Sequence, residues 1–194
     1  MSCICFATKL LQAAERTQHK THGRRPFTMR RPTARRDVAL ILLLLDTGLR
    51  ASKCARLTLG DLKKDTGNVM VRPYLSGLKS RPRIVYLSTR ARKALWRYMA
   101  SRGDVTASDA VFAARQGPIN RHSIRRVLSR LGERCGVSPC GPHRFRHTTA
   151  IRFLRNCGYA LSLQRMLGHA SLDMVRRPGG CWHGRRPPEG RPCG

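Results

Sequence analysis

The sequence predicts a mainly α fold with one small antiparallel β-sheet, an α+β class. Three observations lead there. Apolar residues recur at helical spacing through most of Thr33–Leu167. Only Asn68–Arg72 and Arg83–Leu87 are short, rich in β-branched and aromatic residues, and bounded by turn formers. The two ends, residues 1–32 and 178–194, are too basic or too rich in proline and glycine to contribute a core.

Residues 1–32 are expected to be a disordered basic arm. Thr8–Arg16 could form a helical turn or two, but Thr17–Pro32 carries Arg24, Arg25, Arg30, Arg31 and two prolines. Such a run is either a solvated tail or an electrostatic arm on a phosphate backbone. A single domain is expected over residues 33–177. Thr33 can cap a helix through Asp46, and the eight-residue apolar run Val38–Leu45 predicts burial on nearly all sides. Gly48 ends that helix in the C′ manner, and Leu49–Leu59 reads as a second one.

The two β-like stretches form an antiparallel hairpin around a basic connector, Pro73–Pro82, which contains Lys79 and Arg81. Ser88 caps the next helix, with Ala91, Leu95, Tyr98 and Met99 inward. Asn120 or His122 starts another through Cys135, with Ile124, Val127, Leu128 and Leu131 inward. Its outer face carries Arg121, Arg125, Arg126, Arg130 and Arg134, either a solvated flank or a contact for backbone phosphates. Gly141-Pro142 opens a helix predicted to bury Ala150, Phe153 and Leu154 and to stop near Gly158. A short helix follows over Leu161–Leu167. Residues 178–194 form a Pro/Gly/Arg-rich tail expected to be disordered.

Composition narrows the function. Lys and Arg number 39 against 10 acids, a formal net charge of +29. A field of that size favours polyanions, nucleic acid before a membrane surface. The longest apolar run is far short of the roughly 20 residues a membrane span needs, and the first residues lack the pattern of a secretory signal. No membrane partner is expected. Without a secretory signal the eight cysteines are expected to be reduced cytoplasmic thiols, and with no CxxC pair among them no metal site is expected, nor any cofactor.

The chemistry concentrates in Pro142-His143-Arg144-Phe145-Arg146-His147-Thr148-Thr149-Ala150. His143 and Arg146 share a helical face at i, i+3, and a guanidinium fork beside an imidazole suits a phosphate diester. Asp46-Thr47-Gly48-Leu49-Arg50 and Leu167-Gly168-His169 each place one further cationic or imidazole group at a helix edge. The expectation is that Arg50, His143, Arg146 and His169 converge on one DNA phosphate. Taken singly, Arg50 also reads as a surface ion-pair residue, His143 as a helix cap and His169 as a packed histidine.

Those three fragments in that order, with a hairpin between the first two, resemble the tyrosine recombinases, or phage-type integrases, over about residues 33–177. The resemblance implies a catalytic domain that cuts DNA through a tyrosine attacking the scissile phosphate. It implies that Arg50 and Arg146 clamp the non-bridging oxygens, that His143 assists proton transfer and that His169 holds a phosphate oxygen. Lys79 would protonate the departing 5′ hydroxyl. Arg81 competes for that role, because the loop aligns a residue either way. Double-stranded DNA is the implied partner, with intact recombinase protomers as a second.

The chain departs from the family pattern in three ways. Lys53 stands where an acidic residue is usual after the first arginine. Residues 1–32 are too short and polar for the family's separate DNA-gripping domain. Pro178 stands where counting on from His169 places the nucleophile, the tyrosines being Tyr74, Tyr86, Tyr98 and Tyr159. Proline has no hydroxyl and breaks helices, so the chain is expected to grip a phosphate without cutting DNA alone. The alternative expectation is a non-enzymatic DNA-binding protein that occupies sites or joins intact recombinases.

Overall fold

The structure is a computed structural model that describes residues 3–19, 27–73, 82–156 and 159–168. Its centre is α2 (Ala34–Thr47), in which every residue from Ala39 to Leu45 is buried. A helix apolar on all sides needs neighbours on all sides. Here they are α1 (Cys3–Glu15), α4 (Thr89–Met99) and α6 (Pro142–Arg155).

The helix α1 corrects the expectation of a loose arm over residues 1–32. Phe6, Leu10, Leu11 and Ala14 lie on one stripe and are buried in the main core. Phe6 meets Phe145 edge to face at 5.3 Å, and the Arg144 guanidinium lies 4.6 Å from the Phe6 ring centroid. The basic residues nearby serve structure. Arg31 donates to the Ala14 carbonyl at 3.3 Å, satisfying a C-terminal orphan of α1. It also pairs at 3.1 Å with the fully buried Asp37, which Arg36 meets at 2.8 Å. Between α1 and α2, β1 (Arg16–His19) and β2 (Phe27–Arg30) pair antiparallel, Arg16 opposite Arg30.

Thr33 occupies the N-cap position of α2, but its hydroxyl donates to Asp37 at 2.8 Å and caps no backbone amide. At the other end Gly48 adopts φ 58°, and its amide donates to Leu44. The helix expected over Leu49–Leu59 shrinks to the single turn α3 (Ala51–Cys54). Beyond it the backbone is captured from afar: Val111 donates its amide to Leu57 at 2.8 Å and Leu59 donates to Asp109 at 2.9 Å. Thr58 and Asp61 then form a capping box around a 3₁₀ turn, Leu59–Asp61.

The strands β3 (Asn68–Val71) and β4 (Arg83–Tyr86) pair antiparallel, Asn68 opposite Tyr86 and Val71 opposite Arg83. Val69, Val71 and Val85 point inward, while Met70, Ile84 and Tyr86 are exposed. A third two-stranded ladder, β5 (Ala113–Ala114) with β6 (Gly117–Pro118), follows the buried Val111 and Phe112. The described residues thus hold three small ladders in place of one. Ser88 caps α4 by accepting from Ala91, and Asn120 caps α5 (Arg121–Arg134) by accepting from Ser123.

The α6 helix differs from expectation in its buried face. Phe145, Arg146, Thr148 and Thr149 are buried, whereas Ala150, Phe153 and Leu154 are only half-buried. The first half of α6 packs against α2, so the burial falls there. The Thr149 hydroxyl lies 2.9 Å from the Leu45 carbonyl. Last comes α7 (Ala160–Leu167), ended by Gly168 at φ 65°.

The cysteines at 5, 54, 135 and 140 are free thiols. Among the described residues no helix is long and apolar enough to cross a membrane. The connector residues Lys79 and Arg81, His169 and the tail from 178 lie outside the described residues.

Candidate functional site

The site begins where α2 runs out. Gly48 turns the chain so that Leu49 is buried and Arg50 faces solvent at the N-cap of α3. Only glycine suits this turn. Its φ is positive, and a Cβ would meet the Leu167 side chain at 2.8 Å and Thr149 at 3.3 Å. The end of α2, the first half of α6 and the end of α7 therefore touch at one point.

Arg146 ties that point together. It is buried, donates from Nη1 to the Gly48 carbonyl at 2.8 Å, and from Nη2 to the Leu167 carbonyl at 2.8 Å. Both acceptors lie at helix C-termini, where carbonyls lack intrahelical donors and carry the negative end of the helix dipole. Two such carbonyls stabilise a guanidinium that would otherwise be costly to bury. Burial still pulls the Arg146 pKa down to about 10, helped by the nearby positive charges of Arg50 and Arg83. It remains a cation at neutral pH.

His143 stands three residues earlier, exposed, in the first turn of α6. That helix starts at Pro142 with Gly141 as N-cap and no side chain over its end. Its first two residues, Pro142 and His143, both line one opening, where the positive end of the helix dipole favours an anion. A cavity of about 110 Å³ results, lined by Arg50, Ser52, Arg121, Arg125, His143 and Arg146. At ~30 Å³ per water, it has room for about four waters or one tetrahedral phosphate. Arg126 is exposed on α5, beside Arg125 in sequence. The site expectations for Lys79, Arg81 and His169 fall on residues outside those described.

Sequence reasoning missed Arg83. It sits on the inward face of β4 with Val85, and Nε donates to the Met166 carbonyl at 2.9 Å. Its guanidinium fills the space beside Gly168, where a Cβ would lie 2.5 Å from Nη1. Burial lowers its pKa, with Arg50 adding to the effect. An arginine at an inward position of an otherwise apolar strand face was the available signal. Lys53 belongs to the same crowd: its Nζ donates to the Arg72 carbonyl at 2.9 Å. Its pKa is lowered by burial first, then by Arg83, Arg56 and Arg50. Such a concentration of like charge is stabilised when a polyanion arrives.

The family model described as Phage integrase family matches residues 8–177. Tyrosine recombinase XerC of Pelobacter propionicus is 33% identical over 144 residues, covering 73% of this chain and 46% of that protein. The crystal structure of XerA recombinase superposes with a TM-score of 0.70 at 26% identity, covering 88% of this chain and 54% of that one. The XerH site-specific recombinase bound to difH substrate gives 0.67 at 20% identity, covering 88% and 47%, a likeness of fold. The chain spans about half the length of these relatives.

Proposed function

Because the chain belongs to the phage integrase family, the tyrosine recombinases, we propose that it is a recombinase catalytic domain that grips one phosphodiester of double-stranded DNA. Its role is then in DNA integration and site-specific recombination, in the cytoplasm. Arg50 and Arg146 would hold the two non-bridging oxygens and offset the charge that builds on them in a pentavalent transition state. His143 would move a proton at the same phosphate. The proposal assigns His169 a hydrogen bond to a phosphate oxygen. It assigns Lys79, or Arg81 in its place, protonation of the leaving 5′ oxygen.

The observation that carries this reading is one cavity that brings Arg50 beside His143 and Arg146, which lie far from it in the chain, with Arg121 and Arg125 also lining it. Pro178 stands at the position where a nucleophile is counted. Without a hydroxyl there, the site can bind and polarise a phosphate but forms no phosphotyrosine link of its own.

A suicide DNA substrate tests the proposal. Salt-sensitive retention of the duplex without a denaturant-stable adduct is the expected result. An adduct would show that another nucleophile serves, and absence of any salt-sensitive retention would reject the reading. Pro178 also favours a second reading, a DNA-binding protein that joins intact recombinase protomers. In that case adding an active recombinase yields mixed complexes on one duplex.

A further inference from the structure

The phosphate cavity does not end at Arg50. Alongside α3 it adjoins a larger cavity of about 730 Å³, walled by Ser52, Lys53, Arg56, Asn120, Arg121 and His122. Ser52 and Arg121 line both. A third, of about 180 Å³, reaches Arg72 and Asp61 and shares Lys53 and Arg56 with the second. Through these shared residues the three cavities follow one another along α3, from Arg50 to the C-terminal end of β3, and are treated as one groove.

Charge and length decide what this groove suits. The carboxylate on its wall, Asp61, is already engaged: Arg72 Nε lies 2.7 Å from one oxygen, and the Thr58 amide donates to the other at 3.0 Å. The other polar side chains are cationic or neutral, set among the apolar Ala55, Leu57, Val71, Pro73 and Ile119, and Lys53 is crowded by Arg83, Arg56 and Arg50. Four residues of helix rise ~6 Å, and successive phosphates of one DNA strand, separated by their winding as well as by the ~3.4 Å axial rise, stand a comparable distance apart. A groove running the length of α3 is therefore long enough for about two phosphates.

We propose that this groove holds the neighbouring phosphate of the same DNA strand, with Lys53 and Arg56 as its contacts and Arg121 shared between the two phosphates. The inference rests on the DNA-binding reading above and deepens it. The groove makes the protein a reader of backbone path, so strand direction is set before any chemistry.

The test is a salt titration of the full chain on a fluorescein-labelled duplex. Lys53→Glu and Arg56→Gln are compared with Lys93→Glu, a charge reversal on an exposed residue of α4 outside the groove. Each lost phosphate contact should reduce the slope of log affinity against log salt by about 0.9. Lys53→Glu and Arg56→Gln should each show that loss, Lys53→Arg should restore it, and Lys93→Glu should change the slope less. Circular dichroism melts check folding. Should Lys53→Glu fail to fold, the solvent-facing Arg56 carries the decision. Slopes for Arg56→Gln and Lys53→Glu no different from Lys93→Glu would overturn the groove while leaving DNA binding intact. A wild-type chain with no salt-dependent binding would overturn the DNA reading as well.

Discussion

Arg146 Nη1 donates to the Gly48 carbonyl at 2.8 Å across 98 positions of sequence, so one side chain both closes the fold and faces the cavity lined by Arg50 and His143. The two duties can be separated. Arg146→Ala leaves the Gly48 and Leu167 carbonyls without their donors, at about 1–3 kcal/mol for each buried acceptor left unsatisfied. Arg146→Lys keeps a cation but presents a single nitrogen to two acceptors. Urea unfolding should show Arg146→Ala destabilised by roughly 2–6 kcal/mol and Arg146→Lys by less. DNA retention should fall in both. An alanine variant as stable as wild type would mean the bridge contributes nothing.

Gly168 and Arg83 form a second coupled pair. A methyl at position 168 would press on the Arg83 guanidinium, and φ 65° disfavours any side chain there. Gly168→Ala should cost about 1–3 kcal/mol, combining the left-handed strain with displacement of Arg83. In an Arg83→Ala background the steric part disappears and only the backbone part remains. A double-mutant cycle by chemical denaturation should therefore return a coupling of about 0.5–3 kcal/mol. Additive penalties would show that the guanidinium yields freely.

These two relationships also mark what the sequence could and could not reveal. Local signals held: the unbroken Val38–Leu45 run gave a helix buried all round, and Ser88 and Asn120 cap the helices they precede. The His143 and Arg146 spacing places both on the cavity with Arg50. The failures are non-local. The arm reading averaged the charge of residues 1–32, which hides the Phe6, Leu10, Leu11 and Ala14 stripe that α2 and α5 complete. The second helix lost its backbone donors and acceptors to Val111 and Asp109, some 50 residues away. Arg83 finds its acceptor at Met166, 83 residues away, a pairing that no window of sequence can display.

The buried thiols predict an alkaline limit to stability. Burial raises Cys54 from 9.0 to about 12 and Cys140 to about 11. A folded pKa above the unfolded value means that the unfolded chain ionises first. The stabilisation is then whole below about pH 9 and is lost as pH rises towards 11–12. One unit above the unfolded value, each thiol should account for a loss of about 1.4 kcal/mol. Arg146 acts oppositely, but only from about 10 upwards. Urea midpoints measured on either side of pH 9 should fall for the wild type, and fall less for Cys54→Ala. Equal falls would place the alkaline sensitivity elsewhere.

Arg50 should behave in the opposite way from Arg146. It is exposed, caps α3 through its backbone carbonyl alone, and supplies no side-chain cap. Its positive charge opposes those of Arg146, Arg83 and Lys53. In the free protein it is therefore a source of repulsion, screened by solvent but not cancelled. Arg50→Ala removes that repulsion and leaves the α3 cap intact, so the melting temperature should hold or rise, on the order of 1 °C. Affinity for duplex DNA should drop at the same time. A residue that destabilises the free fold while strengthening ligand binding is the signature of a functional site. A calorimetric scan beside a binding titration decides the matter. If Arg50→Ala lowers the melting temperature by several degrees, the side chain is structural, and its place at the cavity it shares with His143 and Arg146 needs another explanation.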